Sequence, residues 1–383
     1  MRKLVLLAIT LVIVLALVMS GSFVAFVNSK TPTGFEVSSL RAPTIIIDSP
    51  IERIYHKPSV TAPSLDLKMS WTLTPIYSGY GGVINITVTN NNLTPIYVYG
   101  FGVIWEDSTV ETWRNTSTVI QPGEDGTLGY LFFEAPVNIS EGDYTIKLNV
   151  EIQNEKGTGW KDIGTYGMSG HKHADLISPL SYLNHSTTTN NAVYYSKINK
   201  RVDSDATKTV VSNIMANNSN NYSIQAVAEA FDWVRENIVY TDDPKDYWQS
   251  ASETLSWRSG DCEDQAILLA SMINEMGGNA RVNVIDGHAF PSVYVASDKG
   301  VLANISKAIS SHYQTDVPVN FLNDTTGYWM IIDTTGFPYA GGLATLSGPV
   351  LSDVQYSWSF ESSVWLSQVD ATGLGHDTGL LPF

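Results

Sequence analysis

Cysteine is almost absent from this chain: one thiol, Cys262, occurs in 383 residues. A single cysteine excludes an intrachain disulfide framework and any thiolate-rich zinc site. Charge is also scarce. Charged residues make up 16% of the chain, where about 25% is usual, so Ser, Thr and Asn supply much of the polar surface. Basic residues are the scarcer sign, 22 against 38 acidic ones for a formal net charge of −16, and no cluster of them follows residue 3. That balance excludes nucleic acid and anionic membrane surfaces as partners.

The chain opens Met1-Arg2-Lys3 and then runs uncharged from Leu4 to Val27, broken only by Thr10 and Ser20-Gly21-Ser22. At about 1.5 Å per residue, such a run spans a bilayer core of about 30 Å. Residues 1–30 are therefore expected to form a signal anchor, a single transmembrane helix with the N-terminus cytoplasmic. The alternative is a signal peptide cut after Ser22. Phe23-Val24-Ala25-Phe26-Val27 carries the apolar stretch past that site and favours the anchor. Either way the remainder is exported, to the outer face of the cell membrane. Asn-x-Ser/Thr sequons at Asn85, Asn92, Asn115, Asn138, Asn184, Asn217, Asn221, Asn304 and Asn323 fit an extracellular glycoprotein, or simply an Asn-rich surface.

Residues 31–64 hold Pro32, Pro43, Pro50, Pro58 and Pro63 with little periodicity, which predicts an extended stalk. Residues 65–166 read as an all-β domain. Ile84, Ile86 and Val88 alternate with polar residues, as do Tyr144, Ile146, Leu148, Val150 and Ile152, and turn signals separate such runs. Short strands at this spacing predict an immunoglobulin-like β-sandwich, whose role is adhesion, substrate presentation or mere spacing. From residue 171 to 383 the pattern changes. Ser223 is placed to cap a helix carrying Val227, Ala230, Phe231, Val234 and Ile238 at helical spacing. A loop is expected over 240–257. A second helix is expected to start near Cys262, with Ala266, Leu269, Ala270 and Ile273 on one face and Gly277-Gly278 as its stop. Strand patterns follow at 280–285, 289–295 and 328–333, so the fold class is α+β.

Cys262 heads its helix, where unpaired N–H groups and a partial positive charge favour a thiolate. On its own, a cysteine there is more often a small buried hydrophobe. The surrounding blocks are more specific. Gly260-Asp261-Cys262-Glu263-Asp264-Gln265-Ala266-Ile267-Leu268-Leu269, Gly278-Asn279-Ala280-Arg281-Val282, Gly287-His288-Ala289-Phe290 and Trp329-Met330-Ile331-Ile332-Asp333-Thr334-Thr335 resemble the transglutaminase-like domain of the papain-like thiol enzyme superfamily, of the membrane-anchored prokaryotic or archaeal type. The resemblance covers about residues 220–340.

It implies Cys262 as nucleophile, His288 as general base and acid, and Asp333 as the residue that orients the imidazole. The implied activity is that of a cysteine peptidase or acyltransferase acting on proteins or peptides at the cell surface through a thioester. Hydrolysis is favoured over cross-linking, because water is always present there. The alternatives are a catalytically silent transglutaminase-like binding module and a structural component of a surface layer. An oxyanion would be met by the Cys262 N–H, and the Tyr247-Trp248 pair is expected to pack rather than to help.

No cofactor is required by this chemistry. Bacterial transglutaminase-like proteinases with a similar Asp-Cys-Glu-Asp string use those acids for calcium, so the resemblance implies Ca²⁺ near Asp261, Glu263 and Asp264. The alternative is that Asp261 caps the helix while the other two face solvent. Two departures stand out: Phe290 replaces the tryptophan usual two residues after the histidine, and Pro291 removes a strand donor, so an edge or bulged strand is expected. The stretch 299–327 is expected to be a surface insertion rather than a lid.

Overall fold

The computed structural model describes residues 65–167, 171–177, 187–189, 192–242, 246–285, 287–344 and 366–373. The expected anchor at 1–30 and stalk at 31–64 lie outside them. Among the described residues no helix is long and apolar enough to cross a membrane.

The N-terminal part is all-β, with β1 (Leu67–Leu73), β2 (Ile76–Tyr77), β3 (Gly82–Asn90), β4 (Ile96–Trp105), β5 (Glu111–Ile120), β6 (Asp125–Phe133), β7 (Glu141–Gln153), β8 (Trp160–Gly167) and β9 (Lys172–Ile177). One sheet has the order β1-β3-β6, the other β2-β9-β7-β4-β5 with β8 paired to β7. The alternating strands bury Ile84, Ile86 and Val88 from the first sheet with Phe101, Val103, Ile146, Leu148 and Val150 from the second in one apolar cluster. The domain runs further than its periodicity implied. β9 pairs antiparallel with β7 and parallel with β2, so residues 171–177 belong to the β-domain and the second domain starts later.

The second domain contains β10 (Thr187–Thr189), α1 (Ala192–Asn199), α2 (Ser204–Asn217), α3 (Ile224–Asn237), β11 (Val239–Tyr240), α4 (Ala251–Trp257), β12 (Ser259–Gly260), α5 (Cys262–Glu275), β13 (Ala280–Ile285), β14 (His288–Ala296), α6 (Leu302–His312), β15 (Phe321–Asp324), β16 (Gly327–Ile331) and β17 (Leu366–Asp370). Its sheet has the order β10-β17-β13-β14-β16-β15. The helix starts follow local chemistry. Ser223 accepts from the Ala226 N–H at 3.2 Å to open α3, and Gly277 at φ +89° closes α5.

α5 is more buried than a one-faced helix: every residue from Glu263 to Ile273 is buried, because α2, α3 and α4 cover it on the sides that β13 and β14 do not. β14 is a central strand rather than an edge, and it is bulged: its register against β16 shifts between Tyr294 and Ala296. Pro291 is tolerated there because its carbonyl, which accepts from the Ile332 N–H at 3.0 Å, faces the side of β16. The ladder with β16 begins only at Ser292 opposite Ile331, so the missing N–H falls where pairing has ended.

Two expected loops contain helices. α4 lies within 240–257 and opens with a reciprocal cap between Ser250 and Glu253. α6 lies within 299–327 and buries Ile305, Ala308 and Ile309. It is tied to α3 through Asp232, whose carboxylate accepts from His312 Nε2 (2.7 Å) and from the Tyr313 hydroxyl (2.8 Å). One face of α6 thus belongs to the core, while most of the stretch 299–327 stays at the surface.

Candidate active site

Three local devices converge at one end of the sheet. Cys262 is the first residue of α5. The turn before it is held by Asp264, whose Oδ2 accepts the Asp261 N–H at 3.3 Å and whose Oδ1 accepts the Gln249 N–H at 2.6 Å. Gly260 is required beside that carboxylate, since a Cβ there would lie 2.6 Å from Asp264 Cβ. Gly287, at φ +71°, lets the chain enter β14 so that His288 is its first residue. Asp333 follows the end of β16.

His288 Nε2 and Asp333 Oδ2 are 2.9 Å apart, and both side chains are almost wholly buried. Asp333 Oδ1 also accepts the Thr335 N–H at 3.0 Å and the Thr335 hydroxyl at 2.8 Å. With Nε2–H donated to the carboxylate, Nδ1 is the acceptor nitrogen of a neutral imidazole. It is buried and has no hydrogen-bond partner. The Phe290 ring lies nearly parallel to the imidazole, with centroids 5.8 Å apart. The aromatic departure from the family pattern thus still supplies a flat surface beside the histidine.

The thiol does not bond to that nitrogen. Cys262 Sγ instead donates to Glu263 Oε2 across 3.1 Å. Burial pushes the Cys262 thiol well up, the Glu263 charge and hydrogen bond push it further, and the Ala289 backbone amide opposes them. The pull of a helix N-terminus on the thiolate is therefore outweighed here. Glu263 is itself pushed up to about 8 by burial and by the Asp261 charge. Hydrogen bonds also join the two arms of the site. Gln265 Nε2 donates to the Gly260 carbonyl at 3.3 Å, and the Thr334 hydroxyl donates to Gln265 Oε1 at 2.9 Å.

Neither Glu263 nor Asp264 faces solvent; both are buried. Of the three acids expected near a calcium ion, Asp264 is committed to the fold. Both Asp264 oxygens are engaged by backbone N–H groups. Among the described residues, the group of carboxylate and imidazole side chains whose ligand atoms gather closely enough for a metal is Glu141, His173 and Asp175, on the surface of the β-domain.

Tyr247 and Trp248 are committed elsewhere: the Tyr247 hydroxyl donates to Glu253 at 2.9 Å and Trp248 Nε1 to Asp246 at 2.9 Å. Tyr240, which periodicity left in a loop, belongs to the site. β11 pairs with β12 just before Cys262, and burial followed by the Cys262, Asp242 and Asp261 charges raises the Tyr240 hydroxyl well above its ordinary value. Its only signal in the sequence was an aromatic residue at the end of a capped helix.

Comparison with known proteins agrees with the second domain. Residues 208–328 match the family model described as the transglutaminase-like superfamily, a span that includes Cys262 and His288 and stops short of Asp333. No curated protein matches the chain. Similar solved structures include a candidate cysteine protease from Cytophaga hutchinsonii, 11% identical over 83% of this chain and 95% of that one, with a TM-score of 0.23. A candidate protease from Parabacteroides distasonis is 10% identical over 60% of this chain and 64% of that one, also with a TM-score of 0.23. A protein from Archaeoglobus fulgidus is 12% identical over 30% of this chain and 99% of that one, with a TM-score of 0.19. By the family match together with the helix-headed cysteine and the two strands that follow it, the chain carries a domain of the transglutaminase-like superfamily.

Proposed function

We propose that this chain is a membrane-anchored, outward-facing thiol enzyme that cleaves amide bonds of proteins or peptides at the cell surface, with Cys262, His288 and Asp333 as its catalytic residues. The observation that carries the reading is the buried His288–Asp333 pair, which leaves His288 Nδ1 without a partner. The Ala289 amide beside it bears on the Cys262 sulfur. For the reaction, the thiol turns from Glu263 and gives its proton to Nδ1. The sulfur then attacks the carboxamide carbon, and the Cys262 N–H at the head of α5 faces the developing oxyanion. The imidazolium protonates the departing amine as the C–N bond breaks, leaving a thioester. Water, deprotonated by the same nitrogen, adds to the thioester carbon, and release of the carboxylic acid returns the proton to sulfur. Asp333 keeps the ring in the required tautomer and offsets its positive charge. An amine in place of water turns the same cycle into acyl transfer, but water is the acceptor always at hand.

The uncharged run from Leu4 to Val27 supports the membrane attachment. A second reading, a silent binding module, is favoured by one observation: the thiol points at Glu263 and is held protonated there. Because the chain has a single cysteine, alkylation reports on this site alone. The full-length protein in detergent is expected to release peptides from an unfolded protein substrate, to lose that release once iodoacetamide has alkylated Cys262, and in His288→Ala to release none and to be alkylated more slowly. Equal alkylation rates in the two proteins, with no peptide release, select the binding module.

A further inference from the structure

The all-β domain does more than touch the second domain; one of its turns is built into the loop that follows Asp333. We propose that the β2–β3 turn, Tyr77 to Tyr80, is a positioning element that holds the Asp333 arm against His288, so that the β-domain is part of the catalytic unit rather than a spacer. This rests on the triad reading above.

The turn has little freedom of its own. The Tyr77 carbonyl accepts the Tyr80 and Gly81 N–H groups at 3.0 and 2.8 Å, and the Gly79 N–H donates to the Pro136 carbonyl at 2.9 Å. Gly81 sits at φ +131°, and a Cβ there would fall 2.0 Å from the Phe133 carbonyl oxygen. The turn therefore presents its two tyrosines in one arrangement. Tyr77, Val83 and Phe132 belong to the apolar cluster of the second domain, not to the interior of the sandwich that supplies them.

The contacts converge on the segment from Asp333 to Gly341. The Tyr77 and Tyr80 rings each lie 6.0 Å from the Phe337 ring, the latter edge-on. The Tyr80 hydroxyl accepts from Asn320 Nδ2 at 2.7 Å and lies 3.4 Å from the Tyr339 hydroxyl. Asn320 in turn grips the far end of the segment, its Nδ2 and backbone N–H both donating to the Gly341 carbonyl at 2.9 and 2.8 Å. The near end is held by Arg235, which donates to the Thr334 carbonyl at 2.6 Å. Asp333 thus stands at the root of a loop clamped from α3 on one side and from the β-domain on the other. The Asp333 charge also reaches Tyr77, adding to burial in raising its hydroxyl well above the ordinary value.

A buttress that only stabilised the fold would leave the ionisation behaviour of the thiol unchanged. The test therefore measures Cys262 alkylation against pH in the full-length protein, for wild type, Tyr80→Phe, Phe337→Leu, Asp333→Asn and the Tyr80→Phe/Asp333→Asn pair. Positioning predicts that Tyr80→Phe, which keeps the ring and removes the hydroxyl, slows alkylation at neutral pH by about 10- to 10²-fold. It also predicts a pH profile displaced the same way as in Asp333→Asn and no further loss in the double variant. Phe337→Leu gives the same signature by another route should Tyr80→Phe fail to fold. A wild-type profile in folded Tyr80→Phe or Phe337→Leu, or losses that simply add, overturns the proposal. A wild-type profile in Asp333→Asn instead overturns the triad reading on which it rests.

Discussion

Cys262 donates its thiol proton to its own neighbour, Glu263, at 3.1 Å, while the nitrogen suited to receive it, His288 Nδ1, is buried without a partner. The resting thiol therefore faces the carboxylate, and in the proposed cycle it turns away before it reacts. Glu263→Gln removes the charge that disfavours the thiolate but keeps the side-chain volume. Its alkylation rate above about pH 8, where the carboxyl carries that charge, is expected to exceed the wild-type rate severalfold, with the rise of the pH profile moved to lower pH. A slower variant with an unmoved profile would mean that Glu263 helps to ionise the thiol.

The same carboxyl predicts a pH-dependent stability. Its folded value lies near 8 against an ordinary 4.5, so between those values the native state binds a proton that the unfolded chain has released. The stability this group contributes is fully present below about 4.5 and is lost as pH rises toward about 8. Thermal melts of wild type and Glu263→Gln across that window should show the wild-type Tm falling relative to the variant as pH rises. A constant difference would place Glu263 in water-like surroundings.

Asp333 accepts from His288 and twice from Thr335, so an amide in its place must turn a donor toward at least one of these groups. Asp333→Asn is expected to lower turnover by about 10²- to 10⁴-fold, with the loss in kcat rather than KM, because the imidazole loses its tautomer and its counter-charge. Steady-state peptide release checks this, and an unchanged kcat would remove Asp333 from the mechanism.

What was legible in the sequence was local. Ser223 and Gly277 announced helix ends, and the alternation of Ile84, Ile86 and Val88 announced a strand, because caps and periodicity act over a few residues. α4 was legible too, through Ser250 and Glu253 three residues apart, but at seven residues it gave no apolar period to notice. In α6 the helical spacing of Ile305, Ala308 and Ile309 is masked by the polar residues around it. The placement of Tyr77 near Asp333, far away in the chain, has no local signature. Burial of Glu263 and Asp264 ran against expectation because carboxylates are rarely buried unless their oxygens are engaged. Asp264 meets that condition with backbone amides, Glu263 with the thiol.

Gly260 tests the Asp264 brace. A Cβ at 260 would press on Asp264 Cβ at 2.6 Å and on Oδ2 at 2.8 Å, and the helix behind that carboxylate is buried and has no room to retreat. Gly260→Ala is expected to cost about 1–3 kcal/mol in urea unfolding. It should also perturb Cys262 alkylation more than an alanine at exposed Gly167, whose Cβ would meet only Lys147 Cγ, at 3.8 Å. Unchanged stability and reactivity would show that the turn before α5 adapts.

Arg281 holds the far side of the sheet. Its guanidinium is buried, with Nε donating to Asp370 at 2.6 Å, Nη1 to Asp324, and the Trp329 ring 3.7 Å beneath it. It thereby joins the β15–β16 turn to β17 across β13. Burial alone would raise Asp324; the Thr326 hydroxyl and Arg281 outweigh it and hold the carboxyl below its ordinary value. Arg281→Leu leaves two carboxylates facing each other with no cation, which should cost about 3–5 kcal/mol. The loss is mainly the penalty of the stranded charges, so adding Asp324→Asn and Asp370→Asn to Arg281→Leu should recover part of it. The depressed Asp324 stabilises the wild type above the ordinary carboxylate value, and that contribution is lost as pH falls. Acid should therefore narrow the gap between wild type and Arg281→Leu in urea unfolding. A gap independent of pH, with no recovery in the triple variant, would assign the role of Arg281 to its packing on Trp329.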